Sequence, residues 1–160
     1  MIFVAGIHGV GKTTFSECLA KKLHINHYVA SQIIAARDKE RVYPTKLVDA
    51  IDDNQVILIE GCSAISQEEH EFILDGHMCL LDSNGIITRI SEEVFDRLNI
   101  TKLIVLECPA VIIQERMKNR DSIIWPIEKI NTFMTEERVY GKYIANRLGV
   151  PFELHFEGEK

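Results

Sequence analysis

The sequence has no cysteine pair at a metal-site or redox-site spacing. Its four cysteines, Cys18, Cys62, Cys79 and Cys108, stand far apart and form no CxxC. Apolar neighbours flank Cys79 (Leu80, Leu81) and Cys108 (Ile104, Val105, Leu106), so the thiols are expected to be free, buried and hydrophobic in behaviour. That usage suits a reducing cytoplasm. No apolar run reaches the roughly 20 residues of a membrane-spanning helix. The apolar opening Met1-Ile2-Phe3-Val4-Ala5 has no basic leader and runs straight into glycine, unlike a secretory signal. A soluble, cytoplasmic chain with no membrane partner is expected. Positive charge is scarce as well: 18 Lys and Arg against 24 Asp and Glu give a net charge of −6. Stable nucleic-acid binding draws on a surplus of basic residues and is not expected, although a local pocket can still gather cations around a phosphate. Repeats, low-complexity tracts and an interdomain linker are also missing. With 160 residues, 46% hydrophobic and 26% charged, the chain fits one globular domain over 1–160.

What is present is an alternation of strand and helix patterns. Ile2-Phe3-Val4-Ala5 is a short apolar run stopped by Gly6, the pattern of a strand buried on both faces. From Thr14 to Leu23 the spacing turns helical, with Phe15, Leu19 and Leu23 on one stripe. Tyr28-Val29-Ala30 reads as a short strand, and Ser31 as the N-cap of a helix carrying Ile33, Ile34 and Arg37. The run Val56-Ile57-Leu58-Ile59 has strand composition, yet no turn signal separates it from its neighbours, so a buried helix is expected over 49–65. Asn54 and Gln55, polar residues entering that run, are read as structural. Glu71-Phe72-Ile73-Leu74-Asp75 is a strand ended by Gly76, and Ser83-Asn84-Gly85 between two apolar runs signals a hairpin. Ser91 opens a short helix, Lys102 to Glu107 is a strand, and Pro109 opens a helix through Arg120. A long amphipathic helix follows Trp125-Pro126 and stops at Gly149, then Phe152 to Phe156 alternates as a last strand. The last four residues read as a loose tail. The pattern predicts an α/β fold of three layers, a five-stranded, mostly parallel sheet with helices on both faces and a small hairpin.

Gly6-x4-Gly11-Lys12-Thr13 has the spacing of a phosphate-binding loop between a strand and a helix. Glycines let backbone N–H groups converge on phosphate oxygens. A lysine here reaches the β- and γ-phosphates, the Thr13 hydroxyl coordinates Mg²⁺, and the helix adds its positive end. Gly6, His8, Gly9, Val10, Gly11, Lys12, Thr13 and Thr14 are therefore the expected residues for ATP. The pattern leaves the His8 position free, so its side chain either faces solvent, the favoured reading, or meets a phosphate. The guanine-reading Asn-Lys-x-Asp motif of GTPases is absent, and the short chain has no room for the helical lid domain of ring ATPases.

Three stretches carry a family resemblance: the loop itself, Phe72 to His77, and Leu106-Glu107-Cys108-Pro109 through Glu115 to Asp121. On these the chain resembles adenylate-kinase-like P-loop nucleoside monophosphate kinases, in particular archaeal-type adenylate kinases and small bacterial AAA-type ATP-binding proteins. The resemblance implies MgATP-dependent phosphoryl transfer to a small acceptor, foremost a nucleoside monophosphate. It implies that Asp75 holds Mg²⁺ through water beside Thr13, and that Lys12, Asp75, Arg116 and Arg120 are catalytic. It places an acceptor region at about 31–65, with Arg37 on the acceptor's phosphate, and a lid at about 120–135. Arg116 and Arg120 stand one helical turn apart, on one face. The larger adenylate kinases follow the Asp-Gly pair with Phe-Pro-Arg, whereas here Gly76 leads into His77-Met78. At that departure His77 either replaces the missing arginine as an acceptor contact or holds the hairpin in place, and the acceptor stays open. Two alternatives stay beside the kinase reading: an ATP-hydrolysing switch acting on a protein partner, and a kinase of a non-nucleotide metabolite.

Overall fold

The computed structural model describes residues 1–38 and 50–158. The expected acceptor region at about 31–65, including Lys39, Glu40 and Arg41 after Arg37, falls partly outside them. Five strands form one wholly parallel sheet in the order β2-β3-β1-β6-β7, comprising β1 (Ile2–Ala5), β2 (Asn26–Val29), β3 (Phe72–Asp75), β6 (Lys102–Glu107) and β7 (Phe152–Phe156). Between β3 and β6 the chain makes a separate antiparallel hairpin, β4 (Cys79–Leu81) with β5 (Ile87–Arg89). The α/β reading holds, and the sheet is more uniformly parallel than the pattern required.

Burial explains which strands the sequence made plain. Every residue of β1 and β3 is buried, and side chains of successive residues point to opposite faces. Both faces of the sheet centre are therefore covered, and the strands read as unbroken apolar runs. The edge strands β2 and β7 are only partly buried, so β7 alternates.

Helix α1 (Lys12–Leu23) packs on β1, β2 and β3, and α6 (Ile127–Leu148) packs on β6 and β7. Helix α2 (Ala30–Asp38) begins one residue before Ser31, which places Ser31 in the first helical turn rather than at the cap. Helix α3 (Ala50–Glu68) runs without interruption through Val56-Ile57-Leu58-Ile59, of which Ile57, Leu58 and Ile59 are buried and Val56 is exposed. α2 and α3 meet at Gly61, where a Cβ would collide with Ile33. The short helix α4 (Glu92–Arg97) follows Ser91, and α5 (Ala110–Asp121) follows Pro109. α6 buries Ile130, Phe133, Glu137, Tyr140, Gly141, Ile144 and Ala145 along one face. Gly149, in the left-handed conformation at φ 66°, ends it as expected.

Three of the four thiols, Cys62, Cys79 and Cys108, are buried and free, but Cys18 is exposed on the outer face of α1. Leu23 is exposed too, so the stripe of α1 ends a turn earlier than the spacing suggested. No helix among the described residues is long and apolar enough to cross a membrane.

Candidate active site

The loop after β1, Val29 at the end of β2 and Asp75 at the end of β3 open onto one cleft, at the point where strand order reverses across β1. In open parallel sheets this is where ligands bind. After Ala5 the chain turns through Gly6 to Gly11 and enters α1 at Lys12. Gly6 has φ 148°, and a Cβ on it would stand 2.9 Å from Val10 Cγ1 and 3.0 Å from the Leu106 carbonyl oxygen, so only glycine lets the loop lie this close to β6. Gly11, at φ 107°, precedes α1 and offers no capping side chain. The first amides of α1 are thus left for an anion.

Lys12 is 8% exposed, and its Nζ donates to the carbonyl oxygens of Gly6 at 2.8 Å and Ile7 at 3.1 Å. Burial lowers its pKa below the ordinary 10.5, opposed by the carboxylate of Asp75. Thr13 Oγ1 donates to Asp75 Oδ2 at 2.9 Å. Asp75 is placed by the sheet, since it pairs with Val4 in the β1–β3 register and Gly76 N donates to Val4 O at 2.9 Å. Its carboxylate is buried at 3% exposure. Thr13 and Asp75 are adjacent hard oxygen donors, a set that suits Mg²⁺ because this ion keeps several waters and takes the rest from carboxylate and phosphate. His27 Nε2 lies 3.7 Å from the same Asp75 oxygen and has no hydrogen-bond partner.

Helix α5 forms the opposite wall. Arg116 Nη1 donates to the carbonyl oxygens of Gly9 (3.2 Å) and Val10 (3.1 Å) and to Glu157 Oε2 (3.0 Å), and Nη2 donates to Glu157 Oε1 (3.3 Å). The Glu157 bonds raise the Arg116 pKa. Arg120, one turn on, is largely exposed and has Asp121 at 3.5 Å. His8 does not simply face solvent, because its Nε2 lies 2.8 Å from Asp121 Oδ2. His77 Nδ1 lies 3.7 Å from Glu137 Oε1. Glu137 is fully buried and accepts from the backbone N–H of Met78 (3.0 Å to Oε2) and Cys79 (3.1 Å to Oε1).

Of the residues expected from sequence, His8, Gly9, Gly11, Lys12, Thr13, Thr14, Asp75, His77, Arg116 and Arg120 line this cleft of about 650 Å³. Gly6 and Val10 lie beneath the loop, with Val10 wholly buried. Arg37 is not among the lining residues; its side chain packs beside Gly61 on α3, with Nε 3.4 Å from where a Cβ there would stand.

A P-loop between a buried strand and a helix, facing a carboxylate from the neighbouring parallel strand, has its counterpart in one family whose match runs from residue 5 to residue 131 and is described as an AAA domain. The chain belongs to the AAA domain family. P-loop membership implies a nucleoside triphosphate as ligand. Among solved structures, this AAA domain is similar to a Chloroflexus aurantiacus j-10-fl protein assigned as a kinase, with TM-score 0.57, 16% identity, and coverage of 97% of this chain and 86% of that one. It is also similar to a gluconokinase from Sinorhizobium meliloti 1021, with TM-score 0.50, 14% identity, and coverage of 99% and 83%. At these identities the likeness is one of fold. No curated protein matches the sequence.

Beyond the matched residues 5–131, the cleft and its surroundings include side chains that no motif announced. Glu157, assigned to a loose tail, pairs with Arg116 and stands 2.7 Å from where a Gly11 Cβ would be. Its backbone N–H donates to Glu107 O at 2.7 Å, tying the tail to the end of β6. Arg138 Nη1 donates to Glu107 Oε1 at 2.7 Å. Glu137 did leave a signal: it occupies an apolar-stripe position, four residues after Phe133 and three before Tyr140. Asn54 and Gln55 lie inside α3 and cap nothing. They line a second cavity of about 160 Å³ that shares Ser31 and His77 with the cleft.

Proposed function

We propose that this chain transfers the γ-phosphate of MgATP to a small acceptor. The observation that carries the reading is the convergence of Lys12, Thr13, Asp75, Arg116 and Arg120 on one cleft at the switch point of the sheet. Phosphoryl transfer asks a protein for positioning and charge neutralisation rather than covalent help. The loop amides and the start of α1 hold the phosphates. Lys12 exchanges the carbonyls of Gly6 and Ile7 for phosphate oxygens. Thr13 and Asp75 are the residues that would hold Mg²⁺, directly and through water. The bound ion neutralises charge between the β- and γ-phosphates. Arg116, fixed against the P-loop by Glu157, lines the donor side, and exposed Arg120 is free to swing onto the γ-phosphate as the 120–135 region closes. His77, at the meeting of the two cavities, faces the acceptor.

The resemblance favours a nucleoside monophosphate as acceptor, with Arg37 as the candidate contact to its phosphate. The test is incubation with γ-labelled MgATP and a panel of nucleoside monophosphates and non-nucleotide alcohols. The expected result is a labelled ester with one ADP formed per ester. Release of labelled phosphate with every acceptor left unmodified contradicts transfer and supports an ATP-hydrolysing switch.

A further inference from the structure

His27, on the edge strand β2, has a side chain only 11% exposed, and its Nε2 is buried with no hydrogen-bond partner among the described residues. An unpaired buried nitrogen is disfavoured. Asp75 Oδ2 stands 3.7 Å from it, and the Asp75 side chain is 4% exposed. The strand register puts both side chains on one face of the sheet. Val29 pairs with Asp75 and His27 with Ile73, and residues two apart on a strand point the same way. That face is the one α1 covers. Thr13, at the start of α1, donates to Asp75 Oδ2 at 2.9 Å, and His27 also borders a groove beside Glu17, Ala20 and Lys21 farther along the helix. Thr13 and His27 thus approach the same carboxylate oxygen from under α1. One carboxylate oxygen accepts two donors, which leaves Oδ1 for the cleft that Asp75 lines.

We propose that His27 is a positioning residue for Asp75, donating from Nε2 to Oδ2 and so fixing the plane of the carboxylate whose other oxygen serves the metal. The inference rests on the phosphotransfer reading, in which Thr13 and Asp75 hold Mg²⁺. A shift of about 0.8 Å brings the pair to ordinary hydrogen-bond length. Held by Thr13 alone, the carboxylate turns about that single bond; held by Thr13 and His27, it does not. Groups that orient a ligating side chain in this way change metal affinity by about 10–100-fold when they are removed. His27 touches neither nucleotide nor metal, so its effect is read in metal affinity first and in turnover only through it.

The experiment uses Mn²⁺ as the probe, with the free ion counted by electron paramagnetic resonance, on the chain saturated with a non-hydrolysable ATP analogue. His27→Leu, of similar volume, removes the donor and is expected to weaken Mn²⁺ binding at least about tenfold. Its affinity for the analogue in EDTA is expected to match the wild type. The melting temperature of the nucleotide-free chain is expected to hold or rise, since the substitution removes an unpaired buried group. His27→Gln, which keeps an N–H at similar reach, is expected to recover most of the Mn²⁺ affinity. Should His27→Leu misfold, the wild-type chain labelled with ¹⁵N-histidine supplies a second test: Nε2 of His27 is expected to carry a proton that exchanges more slowly once MgADP binds. Equal Mn²⁺ affinity in the wild type and His27→Leu overturns the proposal, as does an Nε2 without a proton in the MgADP complex. Joint loss of Mn²⁺ and metal-free analogue binding also overturns it, because that marks a packing role. His27-dependent Mn²⁺ binding with no labelled ester keeps the positioning role and contradicts phosphotransfer, whereas ester formation with Mn²⁺ affinity indifferent to His27 does the reverse.

Discussion

At the scale of single residues, the cleft sets two buried charged side chains, Lys12 and Asp75, against the exposed Arg116, Arg120 and Glu157. Lys12 is buried with two carbonyl acceptors, and burial depresses its pKa. The folded chain therefore releases this proton at lower pH than the unfolded chain does. The linked stability change is fully developed above the ordinary lysine value, and it is lost as pH falls back through the depressed folded pKa. Nucleotide affinity needs the cation and runs the other way. Titration with a fluorescent ATP analogue as pH rises toward the ordinary lysine value is expected to show affinity falling, and Lys12→Arg, which keeps its charge, is expected to flatten that fall. Glu157 offers a second residue-scale test. Its pair with Arg116 is half-exposed on both sides, so it contributes under about 1 kcal/mol to stability. As an anion lining the phosphate cleft it opposes a triphosphate. Glu157→Gln is expected to leave the melting temperature within a few degrees and to tighten ATP binding severalfold at low salt, with the gain fading as salt screens it. Weaker binding in low salt would show instead that Glu157 acts by holding Arg116.

At the scale of elements, the hairpin after β3 is held by a buried polar side chain. Glu137 of α6 accepts from Met78 N and Cys79 N, and this fixes the chain just beyond His77. Glu137→Ala leaves those two buried amides unpaired, at a cost of about 2–5 kcal/mol. Hydrogen exchange at Met78 and Cys79 is expected to accelerate more than at β1 or β6. Glu137→Gln, which keeps an acceptor oxygen, is expected to lose less. Uniform acceleration across the sheet would mean that Glu137 supports the whole fold rather than the hairpin. The elements also show what was legible in the chain. β1, β6 and the P-loop carry local signals, an apolar run and a fixed spacing, and they lie where those signals put them. The helix over 50–68 was readable because no turn residue broke it, despite its strand-like composition. Ser31 misled because β2 ends at Val29 and α2 starts at Ala30, with no residue between them to act as a cap. Glu157 was not legible, since its meaning lies in Arg116, 41 residues away, and no local pattern encodes that contact.

At the scale of the molecule, one parallel sheet with both central faces covered leaves its thiols in different settings. Burial pushes the Cys62 and Cys79 thiols up to about 12 and raises Cys108 as well, whereas Cys18 is exposed. Near neutral pH a thiol reagent is expected to modify one cysteine of the native chain quickly, identified as Cys18 by peptide mapping, and the other three only on unfolding. Rapid reaction at Cys62 or Cys79 would contradict the packing of α3 and the hairpin. The same architecture gathers Lys12, Thr13, Asp75, Arg116 and Arg120 at the switch point, with a second cavity alongside that shares Ser31 and His77. The most direct measurement is transfer of label from γ-labelled MgATP to the acceptor panel by the wild-type chain and by Lys12→Ala, whose fold is checked by circular dichroism. The account predicts labelled ester from the wild type and its loss by at least about a hundredfold in Lys12→Ala, the scale on which one preorganised charge acts in a transition state. Undiminished transfer by a folded Lys12→Ala chain would contradict it.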